Sequence, residues 1–216
     1  MRVYHFLSTC YAMDDLKYGR LKISRLEDLN DPFELLAIRC TDKECVKKIE
    51  KMKLMLDNEH GVICFSRNWS NPLLWSHYAD KHKGICLGFD VPEKDAEDID
   101  YVVSGLQCNK HSVDRDFMLK LLSTKYEDWR YEDEVRFFAD LKEVDSKTGM
   151  YFKEFDEHLI PREIILGVRF DSTSISEQKV YIQNYANKNR VNLIHATLEF
   201  KSFRIVEDKT RKEDSV

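Results

Sequence analysis

Short β-type runs and helical segments follow one another along this chain without strict alternation, and that order restricts the possible folds more than any other feature. The chain begins with a strand over residues 3–7, a helix from Ser8 or Thr9 to about Tyr18, and a second strand over residues 21–24. Several strands carry aromatic residues, as half-exposed antiparallel strands do. We therefore expect an α+β fold with a mixed, mainly antiparallel sheet and peripheral helices.

The rest of the chain continues in the same way. Gly19 ends the first helix, and Pro32 stiffens a turn at residues 30–32. No repeat or long linker follows, so we expect a single domain over residues 1–206, with the polar residues 207–216 as a frayed tail. Further helices are predicted over residues 41 or 42 to 56, 72–79, 116–122 and 177–187, and further strands over residues 62–66, 84–90, 135–139, 164–170 and 192–200.

Composition narrows the class of protein. Hydrophobic residues make up 43% of the 216 residues, which is enough for one substantial core. A formal net charge of -5 argues against a general coat for nucleic acid. We expect no signal peptide, and the sequence contains no apolar run near the roughly 20 residues of a membrane span. We expect a soluble, cytoplasmic protein without a membrane partner.

The cysteines do not form a recognisable metal motif. They include no C-x-x-C pair, and no two lie near histidines at zinc-finger spacing, so no metal site is predicted. Cys64 and Cys86 fall in apolar strand-like runs, where a thiol behaves as a small buried hydrophobe. Reduced thiols are expected, as in a cytoplasm. The six cysteines are Cys10, Cys40, Cys45, Cys64, Cys86 and Cys108.

The first strand carries a histidine between two aromatic rings. Side-chain alternation directs His5 to the face opposite Tyr4 and Phe6, so that one face is aromatic and the other carries an imidazole. The imidazole could donate a hydrogen bond to a ribose hydroxyl, or it could bind a neighbouring carbonyl for purely structural reasons.

A rigid turn at Asn30, Asp31 and Pro32 is followed by Phe33 and Glu34. In one interpretation it is an Asx turn anchored by Phe33, with Glu34 solvated or capping the next segment. In the other, Asn30, Asp31 or Glu34 lies at the rim of a cleft, because a rigid turn holds polar groups in place. The sequence leaves both open.

The predicted helix at residue 72 places Trp75, Tyr78 and Ala79 on one face and His77 opposite. Such an aromatic face is typical of a core. Because Trp and Tyr each also carry a polar group, a pocket between this helix and the strand that ends at Ser66 is the alternative.

The run from Tyr131 to Phe138 is the most informative. Alternation along one strand would put Glu132, Glu134 and Arg136 on a shared face. If that face is buried, the carboxylates must be paired with cations or used in chemistry. A Glu134–Arg136 structural network is one interpretation. In the other, the glutamate orients a ribose hydroxyl and stabilises a cationic transition state at a glycosidic carbon.

Taken in order, these motifs resemble the bacterial domain-of-unknown-function family 2971, over roughly residues 3 to 170. That resemblance implies no established chemistry. The motifs are YHF at residue 4, NDPFE at residue 30, CFS at residue 64, WSHYA at residue 75, KG at residue 83 and W-x-YE-x-E-x-R at residue 129.

A second likeness is to the mono-ADP-ribosyltransferase plan, in which a first-strand histidine or arginine holds NAD and a late strand supplies a glutamate. It implies that His5 contacts the nicotinamide ribose, that Ser24 or the loop after it lines the cleft, that Tyr78 stacks on the ligand, and that Glu134 is the catalytic carboxylate, with Glu132 as its rival. NAD is the implied co-substrate. The substrate-binding candidates are Tyr4, Ser24, Asn30, Asp31, Glu34, Ser66, Trp75, Tyr78 and Arg136.

Three functions remain open from the sequence. The leading hypothesis is a transferase or glycohydrolase acting on NAD or another nucleotide, with an acceptor that the sequence does not specify. The second is a non-catalytic nucleotide or nucleic-acid binding module, for example in stress or phage defence, that uses Trp75, Tyr78 and Lys83 as stacking and charge contacts. The third is a scaffold protein.

Overall fold

The computed structural model describes residues 1–34, 36–40, 42–108, 111–172 and 176–212. The helices are α1 (Thr9–Tyr18), α2 (Lys43–Glu59), α3 (Pro72–Tyr78), α4 (Arg115–Leu122) and α5 (Ser176–Asn189). The strands are β1 (Arg2–Leu7), β2 (Arg20–Arg25), β3 (Ile38–Arg39), β4 (His60–Ser66), β5 (Ile85–Asp90), β6 (Glu97–Asp98), β7 (Asp100–Val102), β8 (Leu106–Gln107), β9 (Thr124–Tyr126), β10 (Glu134–Asp140), β11 (Tyr151–Glu154), β12 (Ile160–Leu166), β13 (Asn192–Glu199) and β14 (Arg204–Glu207).

The chain forms two compact units. The first contains Met1–Leu21, Phe65–Glu93 and Glu154–Val216, and the second contains Lys22–Cys64 and Lys94–Lys153. The single domain over residues 1–206 and the frayed tail over 207–216 stay predictions. β14 ends at Glu207, which lies within the predicted tail, and residues 213–216 fall outside the described part of the chain.

The first unit is built on five strands in the order β1-β5-β12-β13-β14. Their pairings are antiparallel except for β12 with β13, which are parallel and are connected through α5. Phe6, Trp75, Phe89 and Ile165 are among its buried side chains. The connection from β12 through α5 to β13 makes these two strands parallel, and the sheet of the first unit is therefore mixed.

The second unit combines short strand pairs with α2 and α4. β2 pairs antiparallel with β4, and β10 pairs antiparallel with β6. The pairs β3 with β8 and β7 with β9 are parallel. Its core contains Leu26, Cys45, Ile49, Val62, Val113, Met118, Leu121 and Leu122.

Local sequence signals account for the helix ends. Gly19 adopts a left-handed conformation with φ of 66° and closes α1. The side chain of Asp42 accepts a hydrogen bond from the backbone N–H of Glu44 at the start of α2, and Asn71 caps α3 in the same way ahead of Pro72. The predicted boundaries of these helices agree with the structure to within a few residues.

The expected α+β class, with mixed and mainly antiparallel strand pairing, is confirmed. Sequence analysis did not predict the short strands β3, β6, β7, β8, β9, β11 and β14. The strand predicted over 164–170 was placed too late, since β12 ends at Leu166 and Phe170 lies in a 3-10 turn. Within the described residues, no helix combines the length and apolar character needed to cross a membrane.

Candidate functional site

A cluster of five charged side chains lies buried in the second unit. Each of these side chains has a relative exposure of 6% or less. The cluster, which we call the ion cluster, consists of Glu34, Lys125, Glu132, Glu134 and Arg136. Burial at this level costs several kcal/mol per charge unless the charges are paired, so the pairing geometry decides what the cluster can do.

Arg136 holds two of the carboxylates. Its Nη1 and Nη2 donate to Oε2 and Oε1 of Glu34 at 3.1 and 2.5 Å, which is a bidentate pair. Its Nε donates to Oε1 of Glu134 at 2.8 Å, and Nη2 also approaches Oε2 of Glu134 at 3.2 Å. Nη1 also donates to the carbonyl of Leu122 at 2.7 Å, at the end of α4. Hydrogen bonds to Glu34, Glu134 and the carbonyl of Leu122 therefore fix the position of the guanidinium.

Lys125 connects the remaining groups. Its Nζ lies 2.5 Å from Oε2 of Glu132, 3.0 Å from Oε2 of Glu134 and 3.9 Å from Oε1 of Glu34. It also lies 5.0 Å from the ring centroid of Trp129, within the range of a cation–π contact. By formal count, three carboxylates face two cations, so the cluster has one excess negative charge.

Several separate elements place these groups together. Lys125 lies on β9, whose parallel partner β7 carries Tyr101 opposite it. The Tyr101 hydroxyl accepts a hydrogen bond from the backbone N–H of Glu134 at 2.8 Å, at the first residue of β10. Glu134 and Arg136 are two residues apart on β10, and so share a face, as predicted.

Glu132 reaches the cluster by a different route from the one predicted. It is the last residue of a 3-10 turn (Glu127–Glu132), not part of the strand. Asp133 follows with φ of 47°, in the left-handed region, and β10 begins at Glu134. The prediction that one strand carries Glu132, Glu134 and Arg136 is therefore wrong for Glu132, because the backbone reverses at Asp133.

The charges of the cluster stabilise one another. Burial opposes ionisation of Glu134, but Arg136 and Lys125 outweigh it and lower the pKa of this carboxyl to about 2. Burial likewise opposes the charged form of Lys125, yet Glu134 and Glu132 raise the pKa of its ammonium above its usual value. Burial, followed by the charge of Glu134, raises the pKa of the Cys64 thiol on β4. Glu134 is consequently an anion with both oxygens occupied.

A cavity of about 320 Å³ adjoins the ion cluster. Two members of the cluster, Glu34 and Lys125, contribute to its wall, together with the buried Asp31. The remaining lining is mostly apolar or aromatic, and comes from Phe33, Leu36, Ala37, Ile38, Val102, Val103, Ser104, Gly105, Thr124 and Tyr126. Two acidic residues and one lysine therefore lie in an otherwise mainly apolar wall, a lining typical of small-molecule sites.

The turn before Glu34 forms as an Asx turn, with the side chain of Asp31 accepting from the backbone N–H of Phe33 at 2.9 Å. The expectation that Phe33 anchors the turn is wrong, since this residue is 68% exposed. Glu34, expected to be solvated or to form a cap, is only 6% exposed because it pairs with Arg136. The alternative interpretation holds for Asp31 and Glu34, which line the cavity.

The other candidates from the second unit lie apart from the cavity lining. Asn30 is exposed just before the Asx turn. Ser24 lies on β2, opposite Val62 of β4. Neither residue contributes to the cavity wall.

The candidates from the first unit have their own contacts. His5 packs against Phe65 with ring centroids 5.6 Å apart, so the face expected to carry only an imidazole is also aromatic. Burial and the neighbouring Glu163 raise the pKa of the Tyr4 hydroxyl to about 12. The Ser66 hydroxyl donates to the carbonyl of Asn68 at 3.0 Å. That His5 and Glu134 share one cleft stays a prediction.

Trp75 is a core residue of the first unit. It is fully enclosed, its indole N–H donates to the carbonyl of Trp69 at 2.6 Å, and its ring packs edge-on against Phe6. The prediction that Trp75 offers a stacking surface for a ligand is therefore wrong. Tyr78 is half-buried and His77 is exposed, as their helical positions predict.

Sequence reasoning missed Lys125 entirely. The residue lies in a three-residue strand beside Tyr126 and gives no periodic signal of burial. Only the requirement for a counter-charge could have indicated it, because buried Glu132 and Glu134 together need more than the single cation Arg136.

The fold and site define an α+β protein whose second unit holds a buried ion cluster beside a small cavity with acidic groups in its wall. No protein-family model, no curated protein and no solved structure matches the chain.

Proposed function

We propose that the cavity binds the nucleoside part of a nucleotide, with NAD as the leading candidate, and that the protein transfers or hydrolyses the glycosidic bond of that ligand. The observation that carries the proposal is the placement of two buried carboxylates, Asp31 and Glu34, in the wall of a cavity with apolar and aromatic sides. Carboxylates there could accept hydrogen bonds from ribose hydroxyls and stabilise positive charge.

The size of the cavity limits what can enter. About 320 Å³ is near the lower end of the range for small-molecule sites, so we expect a nucleoside-sized group to enter and a whole dinucleotide to extend beyond it. Phe33 and Tyr126 could pack against a planar base or nicotinamide ring.

The geometry favours Glu34 over Glu134 as the reacting carboxylate. Arg136 donates to both oxygens of Glu34 and to both oxygens of Glu134, so hydrogen bonding does not separate the two carboxylates. Glu34 lines the cavity and Glu134 does not, and this difference supports Glu34. In the proposed step the bond between the ribose carbon and the ring nitrogen breaks, nicotinamide leaves with the bonding electrons, and water or an acceptor adds to the carbon and gives up a proton. Glu34 stabilises the oxocarbenium-like charge, and Glu134 is a positioning residue.

The wider assignments remain part of this proposal. They are membership of the bacterial domain-of-unknown-function family 2971, likeness to ADP-ribosyltransferases, and a cytoplasmic role, for instance in phage defence. Motif order supports the family, the first-strand His5 and the late strand with Glu134 support the likeness to transferases, and the expectation of reduced cysteines supports the cytoplasm.

The first test combines binding and turnover. We expect NAD to raise the melting temperature of the wild-type protein and free nicotinamide to be released. Asp31→Asn removes a charge while keeping an oxygen for the turn, and Val103→Phe fills the cavity from a position that is 76% exposed. Each of the two variants should lower NAD turnover at least tenfold. Each should also reduce the rise in melting temperature that NAD causes.

Two controls separate function from folding. Glu50→Gln changes an exposed carboxylate on α2 and should behave as the wild type. Unchanged NAD turnover in well-folded Asp31→Asn and Val103→Phe would contradict the proposal. Salt-sensitive retention of single-stranded nucleic acid without any effect of NAD would instead favour a nucleic-acid binding module.

A further inference from the structure

Three cysteines that are distant in sequence meet in the second unit. The sulfur atoms of Cys40, Cys45 and Cys108 all lie within 4.8 Å of one another, and the Cys45 and Cys108 sulfurs are 3.3 Å apart. Among the His, Cys, Asp and Glu side chains of the described residues, this is the one group whose ligand atoms converge in this way. The cluster is separate from Glu34 and the other members of the ion cluster.

The strand register explains the meeting of two of them. β3 and β8 are parallel, with Ile38 opposite Leu106 and Arg39 opposite Gln107. Cys40 and Cys108 are the next residues on the two strands, so both leave the pair at the same end. Their proximity thus follows from the backbone pairing and not from the side-chain rotamers alone.

The third cysteine comes from a helix start. Cys45 lies in the first turn of α2, after the N-cap Asp42, and is fully buried. The positive end of the helix dipole stabilises a thiolate at such a position. Cys40 and Cys108 are half-buried, so neither residue is fully shielded from solvent.

We propose that Cys40, Cys45 and Cys108 form a three-thiolate site for one thiophilic metal ion, with Zn²⁺ as the expected ion. Zinc–sulfur bonds of about 2.3 Å in a tetrahedral arrangement place sulfurs about 3.8 Å apart, which lies between the 3.3 Å of the Cys45–Cys108 pair and the 4.8 Å that bounds all three. Water completes the coordination, as in zinc sites with three protein ligands. Binding releases the thiol protons and involves no change in oxidation state.

Cys45 is fully buried, and burial disfavours a thiolate there. A bound dication would offset this cost, because thiolates bind it directly.

The site would also connect to the cavity. Ala37 and Ile38 precede Cys40 and line the cavity, and Gly105 does so shortly before Cys108. A metal ion at the ends of β3 and β8 would hold this wall in place. The metal site itself does not depend on the function proposed for the cavity.

The decisive experiment titrates the freshly reduced full-length chain with Zn²⁺ against a chromophoric chelator. We expect one equivalent of zinc per chain and a higher melting temperature with zinc. Cys40→Ser and Cys108→Ser should each weaken zinc binding at least tenfold. Cys10→Ser, at an exposed cysteine outside the group, is the matched control and should bind as the wild type.

A second measurement needs no variant. Zinc should slow alkylation of Cys40 and Cys108 in the wild-type protein but leave alkylation of Cys10 unchanged, as read by peptide mass spectrometry. Unprotected Cys40 and Cys108 would overturn the proposal, as would equal zinc affinity in Cys40→Ser and Cys10→Ser. A reduced, folded chain that binds no zinc would overturn it as well.

Discussion

Replacing Lys125 by Met tests how far the ion cluster stabilises the second unit. The side chain of Lys125 is 4% exposed and faces Glu132, Glu134 and Glu34. Methionine keeps most of the length but removes the charge, so three carboxylates are left with Arg136 as their only cation within the cluster. Removing one partner of a buried ionic group costs about 3–5 kcal/mol, and we expect a loss of that size in the free energy of unfolding.

The measurement is urea unfolding at pH 7, followed by circular dichroism, with Lys142→Met as the matched control. Lys142 pairs with Asp140 at 3.4 Å, but its side chain is 79% exposed, so its replacement should cost less than about 1 kcal/mol. An equally small loss for Lys125→Met would refute the reasoning, because it would show that the cluster is solvated. Adding Glu132→Gln to Lys125→Met should recover part of the loss, with a coupling of about 1–3 kcal/mol.

The pH dependence supplies an independent check. The folded-state pKa of Glu134 is lowered from 4.5 to about 2, so its contribution is present above pH 4.5 and is lost as the pH falls towards 2. The contribution amounts to about 3 kcal/mol. Because Lys125 causes part of the lowering, the acid-dependent loss should be smaller in Lys125→Met. An identical loss in both proteins would mean that Lys125 does not interact with Glu134.

Two further predictions concern the first unit. Burial and the nearby Asp14 raise the pKa of Asp15 to about 7, so the folded state loses up to about 4 kcal/mol as the pH rises from 4 to 7. Asp15→Asn should abolish this loss and stabilise the protein at pH 8, measured by urea unfolding at pH 5 and 8; an unchanged pH dependence would contradict the assignment. Gly84→Ala would place a methyl group 2.1 Å from the carbonyl oxygen of Leu7 and should cost about 1–3 kcal/mol or more in thermal unfolding. A melting temperature equal to that of the wild type would show that the backbone moves aside freely.

The sequence predicted best those helices whose first or last residues are typical of helix ends. Gly19 ends α1 in the left-handed region, and Pro72 follows an N-cap at the start of α3. The strands that escaped prediction have only two to four residues, such as β3, β8 and β14. Such strands exist because a distant partner pairs with them, so their own sequence contains little periodic information.

In the candidate site, too, features set by neighbouring residues were predicted and features set by distant partners were not. Alternation along β10 correctly placed Glu134 and Arg136 on one face, since the two residues are neighbours on a single strand. For residues 30–34 the sequence left two interpretations open, and the one with an anchoring Phe33 and a solvated or capping Glu34 is wrong, because the distant Arg136 pairs with Glu34 and buries it. The group formed by Cys40, Cys45 and Cys108 was not predicted, since Cys40 and Cys108 become neighbours only through the pairing of β3 with β8.

The ion cluster and the cavity share Glu34 and Lys125, so a loss of activity on changing either residue could reflect structure or chemistry. Substitutions in the cluster therefore measure stability, and a test of function must alter the cavity alone. Val103→Phe meets that requirement, because Val103 lines the cavity, is mostly exposed and makes no ionic contact. If its unfolding free energy equals that of the wild type while ligand binding is lost, the cavity binds the ligand independently of what the cluster contributes to stability.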